Sequence, residues 1–239
     1  MIFNNIDFEE FLIVEHITRN LLPPIEGDGV VIPGRPGRLP VPPTIGSGTI
    51  SVDIRIIEDD LLTMQQVARK VAGLLFTTQP KVLKLRDEPG RYNYAMISGE
   101  IELQKVPISK VVGSSTLIFR CDDPLTYDEN MKSESDISGK VLENEGTAKT
   151  KKAVISLDVS STVSFVKITL KETLDHVQIN QNLVPGDRVL IDLDREVASV
   201  NDILVPVTLD SDFFEIPSGN FTINSNTGTM DIAYKEAWY

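Results

Sequence analysis

The pattern of hydrophobic and polar positions is most regular over residues 49–57, which read TISVDIRII. Ile50, Val52, Ile54 and Ile56 fall on one face of an extended chain, and polar residues separate them. An apolar period of two residues is typical of a β-strand with one buried face. The sequence therefore predicts a half-buried strand here.

After this strand the apolar period becomes helical. Apolar residues recur three and four positions apart over residues 61–76, and Asp59 and Asp60 precede them. Carboxylates at the beginning of a helix interact favourably with its dipole. We therefore predict one helix, with a stripe against a sheet formed by Leu61, Met64, Val67, Ala68, Val71, Leu74 and Leu75.

The remaining pattern predicts a mainly β protein with two domains. In the first half, strands are predicted at residues 11–19, 81–85, 92–98, 99–106 and 111–121. With the helix they predict a first domain, residues 1–129, built as a small sheet or split barrel with one helix across it. In the second half, strands are predicted at residues 153–161, 164–172, 176–180, 188–194, 213–216, 220–224 and 229–234.

A polar stretch without apolar rhythm, residues 128–138, separates these two sets of strands. Such a stretch is typical of a domain boundary, so we predict a linker at 130–139 and a second domain at 140–239. Many short strands divided by regular turns, with no good helix, favour a β-sandwich of jelly-roll type.

A proline-rich segment, residues 21–48, interrupts the first domain and holds half of the chain's 14 prolines. Proline fixes φ and removes a backbone donor, so neither a helix nor a central strand is predicted. A loop this long within one domain is usually functional or disordered. We interpret it as an arm that contacts a neighbouring subunit through Pro33, Arg35, Pro36, Arg38 and Pro40, its arginines reaching an acidic surface. The alternative is a mobile surface loop with solvated arginines.

Charge and composition exclude several function classes. The 239 residues carry a net charge of −12, and both halves are acidic. Such a surface repels nucleic acid and anionic membranes, so tight binding to either is not expected. No apolar run approaches the roughly 20 residues that span a bilayer, and no basic segment of a signal peptide follows Met1. Cys121 is the single cysteine, which excludes an intrachain disulfide.

Candidate chemistry is sparse. His16 and His176 fall in different domains, and neither stands beside a marked nucleophile and orienting carboxylate. Cys121 ends an apolar strand and is predicted to be a small buried hydrophobe. Asp192 and Asp194 are predicted to share one face of a strand, which would suit glycoside hydrolysis or calcium binding, but the alternation over residues 190–193 favours a solvated face. We predict no catalytic, cofactor-binding or metal-binding residues, and no cofactor.

In their order and spacing, several segments resemble the distal tail protein family of phages and prophages with long, non-contractile tails. In the first half these are Leu21-Leu22-Pro23-Pro24, Pro33-Gly34-Arg35-Pro36-Gly37, the strand–helix block 50–75, Leu85-Arg86-Asp87, the segment 92–99, and residues 119–127, FRCDDPLTY. In the second half they are Asn144-Glu145-Gly146-Thr147-Ala148, Gly186-Asp187, Ile191-Asp192, and residues 213–220, FFEIPSGN.

The resemblance implies a galectin-like sandwich and a homohexameric ring at the virion tail tip. The first domains would form the ring, and the sandwiches would project outward. The ring would join the tail tube and tape-measure protein to the baseplate hub or fibre proteins, and DNA would pass through it without specific binding. Assembly would take place in the host bacterial cytoplasm. The alternatives are a carbohydrate-binding host-adhesion module and a glycosidase that uses Asp192 and Asp194.

Overall fold

The computed structural model describes residues 1–27, 29–107 and 111–239. This part of the chain divides into two compact units, Met1–Thr126 together with Tyr239, and Tyr127–Trp238. The predicted linker, residues 130–139, lies inside the second unit, where Lys132–Glu134 forms a strand and Ile137 is buried in the core. The segment is polar because it lies on the surface of the folded unit, where most of its side chains other than Ile137 are exposed.

The first unit contains a long antiparallel sheet and one α-helix. Its elements in chain order are β1 (Ile2–Phe3), β2 (Ile6–Asp7), a 3₁₀ turn (Phe8–Glu10), β3 (Ile13–Arg19), β4 (Ile25–Glu26), β5 (Val30–Val31), β6 (Arg38–Leu39), β7 (Thr44–Ile45), β8 (Gly48–Glu58), α1 (Leu61–Leu75), β9 (Lys81–Lys84), β10 (Arg91–Ile97), β11 (Gln104–Pro107) and β12 (Val111–Cys121). The main sheet has the strand order β2-β1-β9-β10-β12-β8-β3, and the sheet does not close into a barrel.

The longest strands of this sheet, β8 and β12, pair with each other. Their register runs from Gly48 opposite Cys121 to Glu58 opposite Val111. The apolar face predicted from the sequence is confirmed, because Ile50, Val52, Ile54 and Ile56 of β8 are all buried in the core of the unit. The alternation of apolar and polar residues along β8 therefore gives the sheet an apolar face, which packs in one core with the helix.

The predicted helix is also confirmed. The Asp60 carboxylate begins α1 by accepting hydrogen bonds from the Thr63 backbone N–H at 2.8 Å and the Thr63 hydroxyl at 2.7 Å. These hydrogen bonds lower the pKa of Asp60, and the one from the Thr63 backbone N–H has the larger effect. Met64, Val71 and Leu75 form the buried stripe of the helix.

One predicted strand of the first unit is mostly wrong. Of residues 99–106, only those from Gln104 onward join the sheet, where β11 pairs with the beginning of β12 up to Ser114. β10 pairs with the end of β12 from Phe119. The segment between β10 and β11 leaves the ladder, and no described neighbour pairs with β12 on that side between Ser114 and Ile118.

The second unit is a β-sandwich. Its strands are β13 (Thr126–Asp128, which begins at the division between the units), β14 (Lys132–Glu134), β15 (Val141–Asn144), β16 (Ala153–Asp158), β17 (Val166–Leu170), β18 (His176–Ile179), β19 (Arg188–Asp192), β20 (Val197–Val200), β21 (Ile203–Val205), β22 (Gly219–Ser225), β23 (Thr229–Tyr234) and β24 (Ala237–Trp238). One sheet has the order β14-β23-β16-β19-β20-β21, and the other has the order β15-β22-β17-β18.

Both sheets of the sandwich contribute to a single core. Ile155 and Ile232 come from the six-stranded sheet, and Ile168 and Phe221 come from the four-stranded sheet. The predicted mainly β class, with one helix in the first half and a sandwich in the second, is confirmed. The predicted strand at residues 213–216 is wrong, because it makes only the bridge between Ile216 and Thr150 before Pro217, which has no backbone donor.

Candidate functional site

The described residues of the arm, 21–27 and 29–48, form a β-hairpin. Near its base, β4 pairs with β7, with Ile25 opposite Ile45. Nearer the tip, β5 pairs with β6, with Val30 opposite Leu39. Each ladder is only two residues long on each strand, because prolines and glycines flank it. The sequence indicated a segment poor in backbone donors, but it did not indicate these short ladders.

The arm tip, residues 32–37, is shaped by a tight turn. The Arg35 N–H donates to the Ile32 carbonyl at 3.1 Å. Pro33 occupies the second position of this turn and Gly34, with φ of 81°, the third. This arrangement suits a type II turn, in which proline presets φ and glycine adopts the left-handed conformation without strain. The tip is therefore conformationally restricted before it meets any partner.

The arm exposes an unusual amount of apolar surface. Nine large apolar side chains are exposed along it: Leu21, Leu22, Ile25, Val30, Val31, Ile32, Leu39, Val41 and Ile45. A two-stranded ribbon cannot bury both of its faces, and an isolated hairpin is marginally stable in water. Contiguous exposed apolar surface of this kind marks interaction sites in soluble proteins. The exposed apolar surface makes the arm the candidate interaction site of the first unit.

The five residues predicted for a subunit contact all lie on this hairpin. Pro33, Arg35 and Pro36 are in the tip, Arg38 belongs to β6, and Pro40 follows β6. All five are exposed. The structure brings them together at the far end of the arm, and their contact with a second subunit stays a prediction.

The base of the arm is tightly held to the sheet. Arg19, the last residue of β3, donates to both carboxylate oxygens of Asp87 at 3.0 Å and to Glu88 at 3.0 Å. A further bond joins its Nη1 to Asn93 Oδ1 at 3.3 Å. On the returning side, the Gly46 N–H donates to the Pro24 carbonyl at 2.7 Å. These contacts fix the position at which the arm leaves the unit.

A second feature of the first unit is a hollow of about 540 Å³ beside the interruption in the ladder of β12. Glu100 and Glu102 line it from the segment that leaves the sheet. Ile101 and Leu103, which alternate with them, line a separate apolar hollow beside α1. Sequence reasoning missed the acidic hollow, although the alternation Glu-Ile-Glu-Leu at 100–103 was a signal that this segment has two different faces.

The histidines do not form a nucleophilic site in the described part of the chain. His16 follows a bulge in β3. His176 Nε2 lies 3.4 Å from Asp210 Oδ2 but without hydrogen-bond geometry. The pKa of Asp210 is lowered chiefly by a hydrogen bond from the Thr208 hydroxyl. Ser211, the next residue, accepts from the Gln178 N–H at 3.0 Å, which attaches this loop to β18.

The aspartate pair is part of a turn. Asp192 ends β19, and its Oδ1 accepts from the backbone N–H groups of Asp194 at 3.1 Å and Arg195 at 3.0 Å. Asp194 lies beyond the strand, so the prediction that both carboxylates share a strand face is wrong. Asp192 is instead used to close the chain reversal between β19 and β20.

Cys121, the remaining candidate from the sequence, has a structural role in the core. Cys121 is buried, as predicted, and burial raises the pKa of its thiol to about 11. Among the described residues, no group of three or more His, Cys, Asp or Glu side chains is placed to bind a metal ion. Within the same part of the chain, no helix is long and apolar enough to cross a bilayer.

Comparison with known proteins agrees with this architecture unit by unit. Residues 6–121 match the family model described as the phage tail protein RIFT-related domain. Residues 145–238 match the model described as the siphovirus-type tail component, C-terminal domain. The chain belongs to the siphophage distal tail protein family. The resemblance stated from the sequence is therefore confirmed.

A solved structure shares the fold of this family member. The chain is similar to the crystal structure of the Dit protein of phage SPP1, described as a paradigm of the hub adsorption apparatus in phages that infect Gram-positive bacteria. The TM-score is 0.83 at 17% identity, over 100% of this chain and 98% of that chain. At this low sequence identity, the high TM-score shows a common fold.

Weaker similarity links the chain to two structures of the phage p2 baseplate in its activated conformation, one with calcium and one with strontium. Their TM-scores are 0.46 and 0.48, at 8% and 9% identity, over 94% of this chain and 90% of each of those chains. Such scores are too low to support a statement about this chain. No curated protein sequence matches it.

Proposed function

We propose that this chain is a structural hub subunit of a siphophage tail tip, and that copies of it form a ring through their arms. The observation that carries the proposal is the exposed hairpin at residues 21–48. It presents nine large apolar side chains and a restricted tip beyond a firmly held base. Family membership supports the location in the tail.

A ring is the arrangement that such an arm favours. An arm on one side of a subunit that contacts a different surface on the next makes a heterologous interface. Repeated around an axis, one heterologous interface closes into a ring. A restricted hairpin loses less conformational entropy on docking than a flexible loop does, so its contacts contribute more to association. We propose a homohexamer at the virion tail tip, assembled in the host bacterial cytoplasm.

The proposed function of the ring is to connect other tail proteins and to let DNA pass through its centre. The first unit would stack on the tail tube and the tape-measure protein. The sandwich would provide a docking surface for baseplate hub or fibre proteins. Each subunit carries a net charge of −12. Acidic walls repel the phosphate backbone, so DNA would pass the channel without specific binding. No bond-making chemistry is part of this function.

The carbohydrate-binding alternative gains no support from the described residues of the sandwich. Sugar-binding sites commonly use an exposed aromatic ring, whereas Phe214, Phe221 and Tyr234 are buried in the core. Phe165 is 40% exposed, but a single exposed apolar side chain is ordinary on a protein surface and does not mark a site. The structure also gives the glycosidase alternative no support, because Asp192 closes a turn. We therefore retain the structural role as the function that the geometry supports best.

Removal of the arm tip tests the proposal. We expect the full-length chain to form rings in negative-stain images and a multiple of the subunit mass in light scattering. Deletion of residues 33–43 should yield folded monomers with the circular dichroism spectrum of the parent. Arg195→Glu in the sandwich is a control that changes one exposed arginine without touching the arm, and it should leave rings intact. Rings that survive the deletion would contradict the proposed role of the arm.

A further inference from the structure

The acidic hollow of the first unit has the chemistry to receive the arm tip of another copy. It lies where the side of β12 away from β8 has no paired neighbour between β11 and β10 among the described residues. Glu15, Asp53, Glu100, Glu102 and Thr116 contribute to its lining. Because the sheet is interrupted there, the surface is concave, with a volume of about 540 Å³. A concave, unpartnered region beside a sheet can seat the tip of a hairpin.

Two of the four carboxylates in this hollow are already satisfied within the unit. Glu15 Oε1 lies 2.6 Å from Arg55 Nη2. Asp53 Oδ1 accepts from the Thr116 hydroxyl at 2.6 Å. Glu100 and Glu102, by contrast, have no hydrogen-bond or ion-pair partner among the described residues. The negative charge that is free to pair with an incoming group therefore lies on the segment that leaves the sheet.

Most other acidic side chains of the first unit are occupied. Asp87 and Glu88 bind Arg19, and Asp122 binds Arg120. Away from the arm, Glu10 and Glu58 are the other described carboxylates of this unit without a partner, and neither lines the hollow. Two free carboxylates thus occur together at one concave surface of the unit.

The arm tip carries the complementary charge. Arg35 is exposed and has no ion-pair partner among the described residues, and Arg38 is exposed nearby on β6. We propose that Glu100 and Glu102 of one copy receive Arg35 and the tip of the arm of the next copy. This proposal rests on the proposed ring and names the surface that the arm contacts. Planar guanidinium groups suit carboxylates, and partial exclusion of water on docking strengthens the pairing.

Charge reversal with rescue tests this pairing in the full-length chain. Glu100→Arg/Glu102→Arg should raise the protein concentration needed for ring formation by at least about tenfold, because like charges then face each other. Arg35→Glu/Arg38→Glu should do the same. The four substitutions combined should restore rings. Glu10→Arg/Glu58→Arg is the matched control, with the same change of charge away from the hollow, and it should assemble normally.

Disulfide trapping provides a second measurement and identifies the copy that supplies the tip. Chains with Arg35→Cys and chains with Glu102→Cys, both carrying Cys121→Ser, are mixed and oxidised. We expect a cross-linked dimer that contains one chain of each kind. A cross-link formed only when both cysteines are in one chain would mean that the tip folds back on its own unit, which contradicts the proposal.

The two proposals fail in different ways. If deletion of residues 33–43 abolishes rings but Glu100→Arg/Glu102→Arg assembles like the parent, the arm acts at another surface and only the present inference is overturned. If single-sided reversals prevent assembly and the combined variant does not restore it, direct pairing is also overturned. If rings survive the deletion, the proposed role of the arm itself is wrong.

Discussion

Arg19 donates two parallel hydrogen bonds to Asp87, with Nε to Oδ2 and Nη2 to Oδ1 both at 3.0 Å. Arg19 is the residue at which β3 ends, and Asp87 lies in the turn between β9 and β10. The contact is bidentate, and the Arg19 side chain is only 20% exposed, so the contact is stronger than an ordinary surface ion pair. This contact fixes the start of the arm relative to the sheet.

Arg19→Ala should loosen the base of the arm. The change leaves Asp87 and Glu88 without their partner and should cost about 1–2 kcal/mol locally, because the carboxylates remain partly exposed to water. Amide exchange in residues 20–26, followed by mass spectrometry, should therefore accelerate about fivefold to thirtyfold. Arg55→Ala, which removes a more exposed pair with Glu15, should change exchange little. Equal exchange in Arg19→Ala and the parent would show that this contact does not hold the arm.

Truncation of two adjacent isoleucines on β8 should lower stability by very different amounts. Ile56 is 2% exposed on the face of the sheet that packs against the helix, whereas Ile57 is 40% exposed on the opposite face of the sheet. Ile56→Ala should lower the free energy of unfolding by about 2–5 kcal/mol, because it removes buried methyl groups and leaves a cavity. Ile57→Ala should cost less than about 1 kcal/mol. Calorimetry of the two variants measures the difference, and similar losses would contradict the assigned register of β8.

Substitution of two glycines in the sandwich distinguishes the cost of backbone strain from the cost of steric overlap. Gly228 and Gly186 both have positive φ, 74° and 97°. A Cβ at Gly228 would overlap the Asp158 carbonyl oxygen, whereas a Cβ at Gly186 would meet nothing within 4 Å. Gly186→Ala should cost about 1 kcal/mol and Gly228→Ala about 3 kcal/mol or more. Denaturation followed by the fluorescence of Trp238 reports both, and equal costs would contradict the tight turn between β22 and β23.

The Cys121 thiol should be unreactive in the folded chain. Burial raises its pKa to about 11 from an ordinary value of 9.0, so at about pH 8 the folded thiolate fraction is on the order of a hundredth of that in the unfolded chain. Labelling by a thiol reagent should be at least a hundredfold slower before denaturation than after it, on the order set by that ratio.

The same pKa change predicts a pH dependence of stability. Since the unfolded thiol ionises first, the stabilisation from this group is complete below about pH 9 and is lost as the pH rises towards 11. Cys121→Ser removes the titrating thiol, and its unfolding free energy should lack this contribution over the same range. A Cys121 that labels rapidly in the native state would contradict its burial.

Elements with a strong period were predicted well, because one buried face dominates their pattern. β8 alternates over its whole length, and α1 combines an apolar stripe with a capping Asp60. The strand expected at residues 213–216 failed for a different reason. Phe214 and Ile216 are indeed buried, but burial of alternate residues does not guarantee a neighbouring backbone, and Pro217 removes a donor.

Features that depend on distant partners could not be read from local pattern. The alternation at residues 100–103 resembles a strand, yet these residues leave the ladder, and that departure creates the acidic hollow. The hairpin β20–β21 was not predicted, although Asn201 and Asp202, with φ of 47° and 66°, form a two-residue turn of the kind that such residues favour. In the arm, the proline and glycine content indicated that the residues are exposed, but it did not indicate the two short pairs of strands.

We propose that identical copies of this chain assemble into a ring through their arms. The most direct test is the mass of the full-length chain in solution, measured by light scattering over a range of concentrations. We expect a discrete closed species of six copies, each of 26.5 kDa, whose images show a central opening wider than the roughly 20 Å diameter of duplex DNA. A mass that stays at 26.5 kDa at every concentration would contradict it.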